Sequence, residues 1–383
     1  MQNANKKAVV LMNLSAFFSG MVFYAPVATL YRQNRGITIW QMSIIEAVSL
    51  ALMMALELPW GYISDRIGYR RTLIISFSFL FVSKIVFFGA DNFSLFLMER
   101  ILLAIAFSAL SGVDIAYLHR CNAGHKELGW YQGSMFLGLL SVALVFPLFT
   151  EVYTQSAFLT IVSHLCALLF ILLLPRESRI ENDFALQKKS MAETITTLVQ
   201  NKPLLLYVGG NTVLFGINQM ITLILVQLCY VRVGIPISMF GFPFLLLVGI
   251  SSVGSFLSAS FATRLGAFPA TVSAFLLSLA GLILLSSLHG VFVVLLGAVL
   301  IRLGATLVQP LYFSVTAKAS EGSDLATALS LNSLLGTCVE LFLTLVLGFL
   351  AEKNLALSLQ IAGLLLVVAL VAIMYSRSIL RRE

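Results

Sequence analysis

The sequence predicts an all-α integral membrane protein whose chain crosses the bilayer twelve times. Of its 383 residues, 59% are apolar and only 11% are charged, and its mean hydropathy is +0.98, which excludes a water-soluble globular protein. Stretches without Asp, Glu, Lys or Arg, such as 203–231 and 265–301, hold at least the roughly 20 apolar residues that one membrane-spanning helix needs. These runs are continuous, whereas the strands of a membrane β-barrel would alternate in polarity.

The apolar runs and the turn signals between them place the spans. The first run is too long for the apolar region of a signal peptide and lacks a clear cleavage site, so we expect it to be retained as a span. Twelve helices need roughly 240 residues, which leaves no room for a soluble domain. We expect the helices at residues 8–31, 41–63, 72–90, 93–117, 129–150, 156–175, 204–230, 238–263, 268–288, 291–313, 325–350 and 355–376.

The distribution of basic residues predicts the orientation of the chain. With the N-terminus inside, the inner loops and tails carry 17 Lys and Arg residues and the outer loops carry four. This bias is typical of cytoplasmic loops, so we expect both termini in the cytoplasm of a multi-pass protein of the cell membrane. It also accounts for the net charge of +7 without nucleic-acid binding, which would need a basic face on a soluble surface.

The chain divides near its middle into two related halves. Residues 176–203 form a long polar segment, interpreted as a cytoplasmic linker between six-helix bundles at 1–175 and 204–383. Matches at one shift indicate a duplication, and duplicated halves commonly place a substrate site at the bilayer midplane. A shift of 198 residues pairs Asn13 with Asn211, Phe17 with Phe215, Arg66 with Arg264 and Gly68 with Gly266, and a shift of 202 pairs Arg100 with Arg302.

The loop after the second span carries a family motif. It reads Gly61-Tyr62-Ile63-Ser64-Asp65-Arg66-Ile67-Gly68-Tyr69-Arg70-Arg71, which resembles the G-x-x-x-D-R-x-G-R-[KR] loop of the major facilitator superfamily. With the twelve spans and the central linker, the resemblance covers essentially the whole chain. It implies the fold of that superfamily, with two pseudo-symmetric six-helix bundles.

The resemblance also implies that this loop forms a cytoplasmic gate. Asp65 would face the other half, and a basic residue of the loop would pair with an acid at the inner end of span four, where Asp114 lies. Tyr69 stands where the family usually has an arginine, so Arg66 or Arg70 must take this pairing; the other motif residues are Gly61, Gly68 and Arg71. Alternatively, these charges only fix the orientation of the chain.

Ionisable residues inside the spans are candidates for proton coupling. Each costs at least about 2.5 to 3.5 kcal/mol near the bilayer centre, so a functional reason for its presence is expected. A paired carboxylate whose surroundings change during transport would also change its proton affinity. We expect Arg302 and Glu340 to be able to pair. The four candidates are Glu57, Arg100, Arg302 and Glu340.

Two further charged positions in the outer half of the bundle are judged weaker. Glu99 adjoins Arg100 but points about 100° away from it around the helix, and Arg100 is preferred because the resembled family often has an arginine in span four. Lys84 is expected to extend to the outer surface and reach water.

Polar and aromatic stripes on four spans predict the lining of a substrate cavity. The resemblance implies that spans one, four, seven and ten line it, although the Asn and Gln positions are equally compatible with packing between helices. The candidates are Asn13, Phe17, Tyr24, Ser111, Asn211, Phe215, Asn218, Thr222, Thr306 and Gln309.

Together these features predict a secondary transporter that moves a small molecule by alternating access. We favour proton-coupled export of an amphipathic or cationic compound by a monomer. The alternatives are a lipid or lysolipid flippase, an uptake symporter and, least favoured, a non-transporting receptor. No H-E-x-x-H, G-x-S-x-G or phosphate-loop motif indicates an enzyme, and the cysteines form no C-x-x-C pair, so neither a cofactor nor a metal is expected.

Overall fold

A computed structural model describes residues 2–121, 125–175, 201–319 and 325–377, and this part of the chain is helical and contains no strand. Nearly all of the predicted linker at 176–203 lies outside these residues. Within them, twelve segments are long and apolar enough to cross a membrane. They are α1 (Lys6–Gln33), α2 (Ile39–Ile67), α3 (Tyr69–Gly89), α4 (Phe93–Arg120), α5 (Glu127–Leu148), α6 (Val152–Leu172), α7 (Lys202–Arg232), α8 (Ile237–Leu265), α9 (Ala267–Ser287), α10 (Val291–Thr316), α11 (Asn332–Lys353) and α12 (Leu355–Tyr375).

These segments confirm the predicted fold class. Each falls on one of the twelve predicted spans, and its ends differ from the predicted ends by no more than four residues, except that the apolar part of α11 starts seven residues after the predicted start. The helices of α10 and α11 continue beyond their apolar parts, as Val291–Ala319 and Leu325–Lys353. The agreement is close because long apolar runs can satisfy their backbone hydrogen bonds in a bilayer only as helices.

Asparagine side chains begin several of these helices. The Asn92 side chain accepts a hydrogen bond from the Leu95 N–H at the start of α4. At the start of α12, Asn354 accepts from the N–H groups of Ala356 and Leu357. These bonds satisfy amides that have no partner within the first helical turn.

Spans α1, α4 and α7 depart from regular α-helix. The backbone of α1 leaves the helix after Gly20 and resumes it at Ala28. Span α4 is interrupted at Ser111 and Gly112, where the glycine has a φ of +76°. Span α7 contains a π-helical turn at Ile221–Leu225. Such interruptions occur within membranes where other protein groups satisfy the released backbone groups.

The internal repeat is visible in the helix bounds. Helices α3 and α9 each have 21 residues and start 198 residues apart. Each follows a glycine with a φ that few other residues adopt, +91° at Gly68 and +86° at Gly266. Spans α2 and α8 begin and end at the same shift. One shift of 198 therefore describes equivalent elements in the two halves.

The shift of 202 predicted for the two arginines is wrong. Helices α4 and α10 begin 198 residues apart, so Arg302 lies four residues beyond the position equivalent to Arg100. That difference is about one helical turn. The equivalent positions carry Ala298 and Ala104.

The chain packs as two compact units. The first takes the described residues of Met1–Ile37, Val48–Asp183 and Pro236–Leu245, and the second those of Thr38–Ala47, Phe184–Ile235 and Leu246–Glu383. The start of α2 thus belongs to the second unit and the start of α8 to the first. These two exchanged segments are themselves 198 residues apart.

Glycines set the closest helix packing in the first unit, where α1 lies against α5. A methyl group on Gly138 would overlap the carbonyl group of Phe17, and one on Gly20 would overlap the carbonyl group of Met135. In the second unit the equivalent helices α7 and α11 pack against each other. Small residues at such crossings let backbones approach and gain dispersion contacts, which hold helices together in lipid.

Candidate functional site

The second unit contains a cavity of about 390 Å³ between α7, α10 and α11. Its volume is within the range of about 300 to 1,000 Å³ that is usual for small-molecule sites. Its lining residues are Thr212, Phe215, Gly216, Gln309, Tyr312, Phe313, Thr316, Asn332, Ser333, Gly336, Thr337 and Glu340.

The lining is polar, aromatic and acidic. Seven of the lining residues carry a hydroxyl or an amide, and Glu340 is the one carboxyl group among them, with no Lys, Arg or His. The Phe215 and Tyr312 rings meet edge to face, with centroids 5.4 Å apart. A cavity with this lining offers hydrogen bonds, an apolar surface and one negative charge.

One face of α11 supplies the acidic part of the lining. Asn332, Gly336 and Glu340 follow each other at intervals of four residues and therefore lie on one side of the helix. Helix α7 approaches this side at Gly216, where a methyl group would collide with the side chain of Leu343. Glu340 is half-buried in this position.

Asn332 lies in the cavity wall with its side-chain hydrogen bonds unmade. The residue is 3% exposed, and neither its amide oxygen nor its amide nitrogen has a hydrogen-bond partner. Leaving such a group unpaired in the interior costs about 1 to 3 kcal/mol. A bound molecule that pairs with this amide would recover that energy.

The cavity gathers some of the predicted residues of the second half and omits others. Phe215, Gln309 and Glu340 line it. Sequence reasoning missed Asn332, because the polar positions of α11 other than Glu340 were not compared along the helix. A signal was present, since Asn332, Gly336 and Glu340 recur at intervals of four residues along the span.

The remaining predicted positions of the second half lie outside this cavity lining and make hydrogen bonds within their own helices. Asn211 is fully buried and donates to the Tyr207 backbone carbonyl group. Thr306 is buried and donates to the Arg302 backbone carbonyl group. The other two, Asn218 and Thr222, are joined by a hydrogen bond from the threonine hydroxyl to the backbone carbonyl group of Asn218.

The predicted pair between Arg302 and Glu340 is not formed. Both residues are described, and no ion pair joins them; instead the Arg302 Nε donates to the Ser251 hydroxyl oxygen at 2.6 Å. Helix α10 directs Arg302 toward α8 rather than toward α11. Of the other two candidates, Glu57 is exposed on α2 and Arg100 is half-buried on α4.

In the first unit, a buried charged cluster has formed around Glu99 rather than Arg100. Glu99 is fully buried, with Arg32 Nη2 3.6 Å from one carboxylate oxygen and Lys84 Nζ 4.0 Å from the other. The Lys84 ammonium also donates to the Tyr24 hydroxyl oxygen at 2.9 Å. The expectation that Lys84 reaches water is therefore wrong, because its side chain is drawn inward to the carboxylate and the phenol.

The depth of these charges was a usable signal in the sequence. Arg32 is near the C-terminal end of α1, Lys84 is five residues before the end of α3, and Glu99 is six residues after the start of α4. At a rise of about 1.5 Å per residue, the last two lie at nearly the same depth. Opposite charges at the same depth on neighbouring helices directly predict an ion pair between Lys84 and Glu99. The choice of Arg100 depended instead on an arginine that is common in the family.

The other predicted residues of the first half lie around the interruptions of α1 and α4. Asn13 and Phe17 are half-buried on α1 before its interruption, and Ser111 is exposed where α4 is interrupted. Tyr24, in the interrupted part of α1, is buried and stacks on Phe87 with ring centroids 3.9 Å apart.

Hydroxyl groups of α6 satisfy the interrupted backbone of α1. The Phe23 N–H donates to the Thr160 hydroxyl oxygen at 2.9 Å, and the Ser163 hydroxyl donates to the Met21 carbonyl group at 2.9 Å. These bonds replace those that a continuous helix would have made, so they hold the bend in place.

The motif loop between α2 and α3 is built differently from the family pattern. The Tyr69 hydroxyl donates to Asp65 at 3.4 Å, and the Arg120 guanidinium lies 4.1 Å from the centre of the Tyr69 ring. Arg70 donates to the carbonyl groups of Leu172 and Leu174 at the end of α6. The tyrosine that replaces the family arginine thus joins the loop to the end of α4.

The predicted pairing of Asp114 with Arg66 or Arg70 is not formed. Asp114 accepts a hydrogen bond from the Tyr131 hydroxyl at 3.0 Å, and Arg66 stacks on the Tyr62 ring. A phenol on α5 has therefore taken the place that we assigned to an arginine. The remaining motif residues, Gly61 and Arg71, are exposed, and Gly68 is half-buried before α3.

Twelve apolar helices, an internal repeat and a polar cavity with an embedded acid define a multi-pass membrane protein of the transporter class. The chain belongs to the Major Facilitator Superfamily, because the model of that family matches residues 9–339. This match confirms the family resemblance.

Solved structures of several transporters share the fold. A mutant form of the nucleoside transporter NupG has a TM-score of 0.83 at 12% identity, covering 97% of this chain and 99% of that one. The D-xylose-proton symporter gives 0.74 at 15% identity, with 96% of each chain covered. A bacterial homologue of the human lysosomal transporter Spinster, inward-facing and unoccupied, gives 0.71 at 15% identity, with 99% and 98% covered. No curated protein matches the chain in sequence.

Proposed function

We propose that this transporter is a secondary active carrier that works by alternating access and couples substrate movement to protons through Glu340. The observation that carries the proposal is the position of Glu340, the one carboxyl group among the described residues that line the cavity, none of which is Lys, Arg or His. Its charge is balanced by no ion pair within the described residues. A proton or a cationic substrate can neutralise it instead.

Competition for one carboxylate supports export in exchange for protons. A protonated Glu340 has no charge with which to hold a cationic substrate, so each ligand weakens the binding of the other. With protons more concentrated outside, proton entry would then drive release of the substrate to the outside. The aromatic lining gives an amphipathic cation both apolar contact and cation–π attraction.

The proposal includes an arrangement of the chain in the membrane. Residues 1–175 and 204–383 are the two halves that rock about the substrate, joined by the linker at 176–203. The excess of basic residues in the predicted inner loops supports cytoplasmic termini and a place in the cell membrane. The carrier acts as a monomer and does not alter its substrate chemically.

Flux into proteoliposomes under an imposed pH gradient tests the coupling. Purified wild-type protein is screened with a panel of radiolabelled cationic and neutral compounds, alongside Glu340→Gln and Glu57→Gln. Glutamine keeps the size and polarity of the side chain but cannot ionise. We expect the gradient to accelerate wild-type and Glu57→Gln flux, and Glu340→Gln to transport without regard to the gradient or not at all.

The outcomes separate the carrier from its coupling. If a substrate is transported but its flux through both the wild type and Glu340→Gln is independent of the pH gradient, the proposal of proton coupling is wrong. The proposal that the protein is a carrier would still stand. If Glu57→Gln alone removes the response, the coupling acid has been assigned to the wrong residue.

Uptake of a neutral polar solute together with protons is the second candidate. It is favoured by the seven hydroxyl and amide side chains of the lining, which suit a solute with many hydrogen-bonding groups. The D-xylose-proton symporter shares the fold, although at this identity the likeness concerns the fold alone. If a neutral solute accumulates on the side of the membrane to which the protons move, the proposal of export is replaced by the proposal of uptake.

A further inference from the structure

The unpartnered amide of Asn332 restricts the kind of molecule that the cavity can hold. The side chain has one acceptor oxygen and one nitrogen with two donor hydrogens, and neither atom has a hydrogen-bond partner. The residue is only 3% exposed. Because Asn332 lies in the cavity wall but its amide atoms are covered, a change of side-chain rotamer would be needed to present the amide to a bound molecule. A planar group with a donor beside an acceptor, such as a primary amide, matches it with two hydrogen bonds.

The carboxyl group of Glu340 marks the other end of the same surface. It lies eight residues further along α11, a distance of about 12 Å at 1.5 Å per residue. Gly336 lies between the two and has no side chain to divide the space. The cavity therefore offers a neutral hydrogen-bonding end and an acidic end, joined by an open stretch.

Aromatic rings line the space between these ends. Tyr312 is buried and lies edge-on to Phe215, with ring centroids 5.4 Å apart, and Phe313 follows Tyr312 on α10. Rings in this arrangement favour a flat aromatic body, which can meet them edge to face or in offset stacks. The apolar part of the ligand would therefore lie between its two polar ends.

We propose that the cavity selects an aromatic compound with a primary amide at one end and a protonated amine at the other. The amide pairs with Asn332, the ring packs against the edge-to-face pair of Phe215 and Tyr312, and the amine binds Glu340. This inference rests on the proposed function only in treating the cavity as the substrate site. It names a substrate class that neither the fold nor the family indicates.

Three small probes separate the two ends. They are benzamide, which has only the amide; phenethylamine, which has only the amine; and 4-(2-aminoethyl)benzamide, which has both. Isothermal titration of detergent-purified protein gives the Kd of each for the wild type, Asn332→Ala and Glu340→Gln. Asn218→Ala is the matched control, because Asn218 is also a buried asparagine of the second unit but lies outside the cavity lining.

We expect the wild type to bind the bifunctional probe at least tenfold more tightly than either single-ended probe. Asn332→Ala should weaken the two amide probes by about 3- to 10-fold and leave phenethylamine unchanged, as loss of neutral hydrogen bonds predicts. Glu340→Gln should weaken the two amine probes by about 10- to 100-fold and leave benzamide unchanged, because a charged bond is lost. The control should bind all three like the wild type.

The inference is overturned if the bifunctional probe binds no more tightly than phenethylamine, or if Asn332→Ala leaves both amide probes unaffected. Should a variant fail to fold, as judged by gel filtration, the ranking of the probes on the wild type decides. Flux of the bifunctional probe separates the two proposals. Binding with both determinants but no gradient-driven flux contradicts the proposed function alone, whereas coupled flux of other solutes without probe binding contradicts this inference alone.

Discussion

Replacing Glu99 with glutamine removes the only negative charge of a buried cluster and leaves both cations in place. Arg32 and Lys84 lie 3.6 and 4.0 Å from the carboxylate oxygens and are 8% and 4% exposed. The substitution therefore converts a cluster with one excess positive charge into one with two.

The size of the effect follows from the distances and the burial. At an effective dielectric constant of about 20, each attraction amounts to roughly 4 to 5 kcal/mol, and the cost of removing the three charges from water offsets most of the sum. Breaking a buried pair by removing one partner typically costs about 3 to 5 kcal/mol. We expect Glu99→Gln to lower the free energy of unfolding by that amount.

Removal of Lys84 instead should have a much smaller effect. Lys84→Met leaves a neutral pair of Arg32 and Glu99, and its main loss is the hydrogen bond to Tyr24. In the Glu99→Gln background the same change removes one of the two cations that have lost the carboxylate, so it should restore part of the lost stability.

The assay is denaturant-induced unfolding in mixed micelles, followed by tryptophan fluorescence, with the four proteins of the double-mutant cycle compared in one detergent. The decisive comparison is the effect of Lys84→Met in the two backgrounds. If Lys84→Met lowers stability equally with and without Glu99, or if Glu99→Gln is as stable as the wild type, the electrostatic explanation of the cluster is wrong.

The same unfolding assay tests two features of helix packing. Gly138→Ala forces a methyl group against the Phe17 carbonyl and should cost about 1 to 3 kcal/mol. Gly133→Ala on the same helix meets open space and should be neutral or stabilise by up to about 1 kcal/mol; equal losses at both sites would contradict the close crossing of α1 and α5. Thr160→Val removes the acceptor of the Phe23 N–H and should cost about 1 to 3 kcal/mol. Thr160→Ser keeps the hydroxyl and should cost less, so similar losses for the two variants would show that this bond does not hold the bend of α1.

The fold was predictable because it depends on properties that each segment carries alone. A run of about 20 apolar residues must form a helix in lipid whatever its neighbours are. The same holds for Gly68 and Gly266, whose places at equivalent helix starts follow from local backbone geometry. The motif loop also allowed the family to be predicted, because the residues of the motif are close together in the sequence.

The site was harder to predict because its chemistry depends on which helices are neighbours. Hydropathy does not show that Lys84 on α3 faces Glu99 on α4, or that Tyr131 on α5 reaches Asp114. The unmade hydrogen bonds of Asn332 become apparent only once every possible partner has been placed. The cost of a charge inside a span identified the acid at 340, and periodicity identified Phe215 and Gln309, whereas Asn332 was not predicted.

The exchange of segments between the two units affects how the chain is made. Gly241 packs on Ala143 and Phe146 within the first unit, at a distance that leaves no room for a side chain. A ribosome that has released only the first six helices has not yet supplied this segment. The first unit therefore lacks one of its packed segments until the eighth helix has been made, and we expect a gene cut at the linker to need both products in one bilayer to complete either unit.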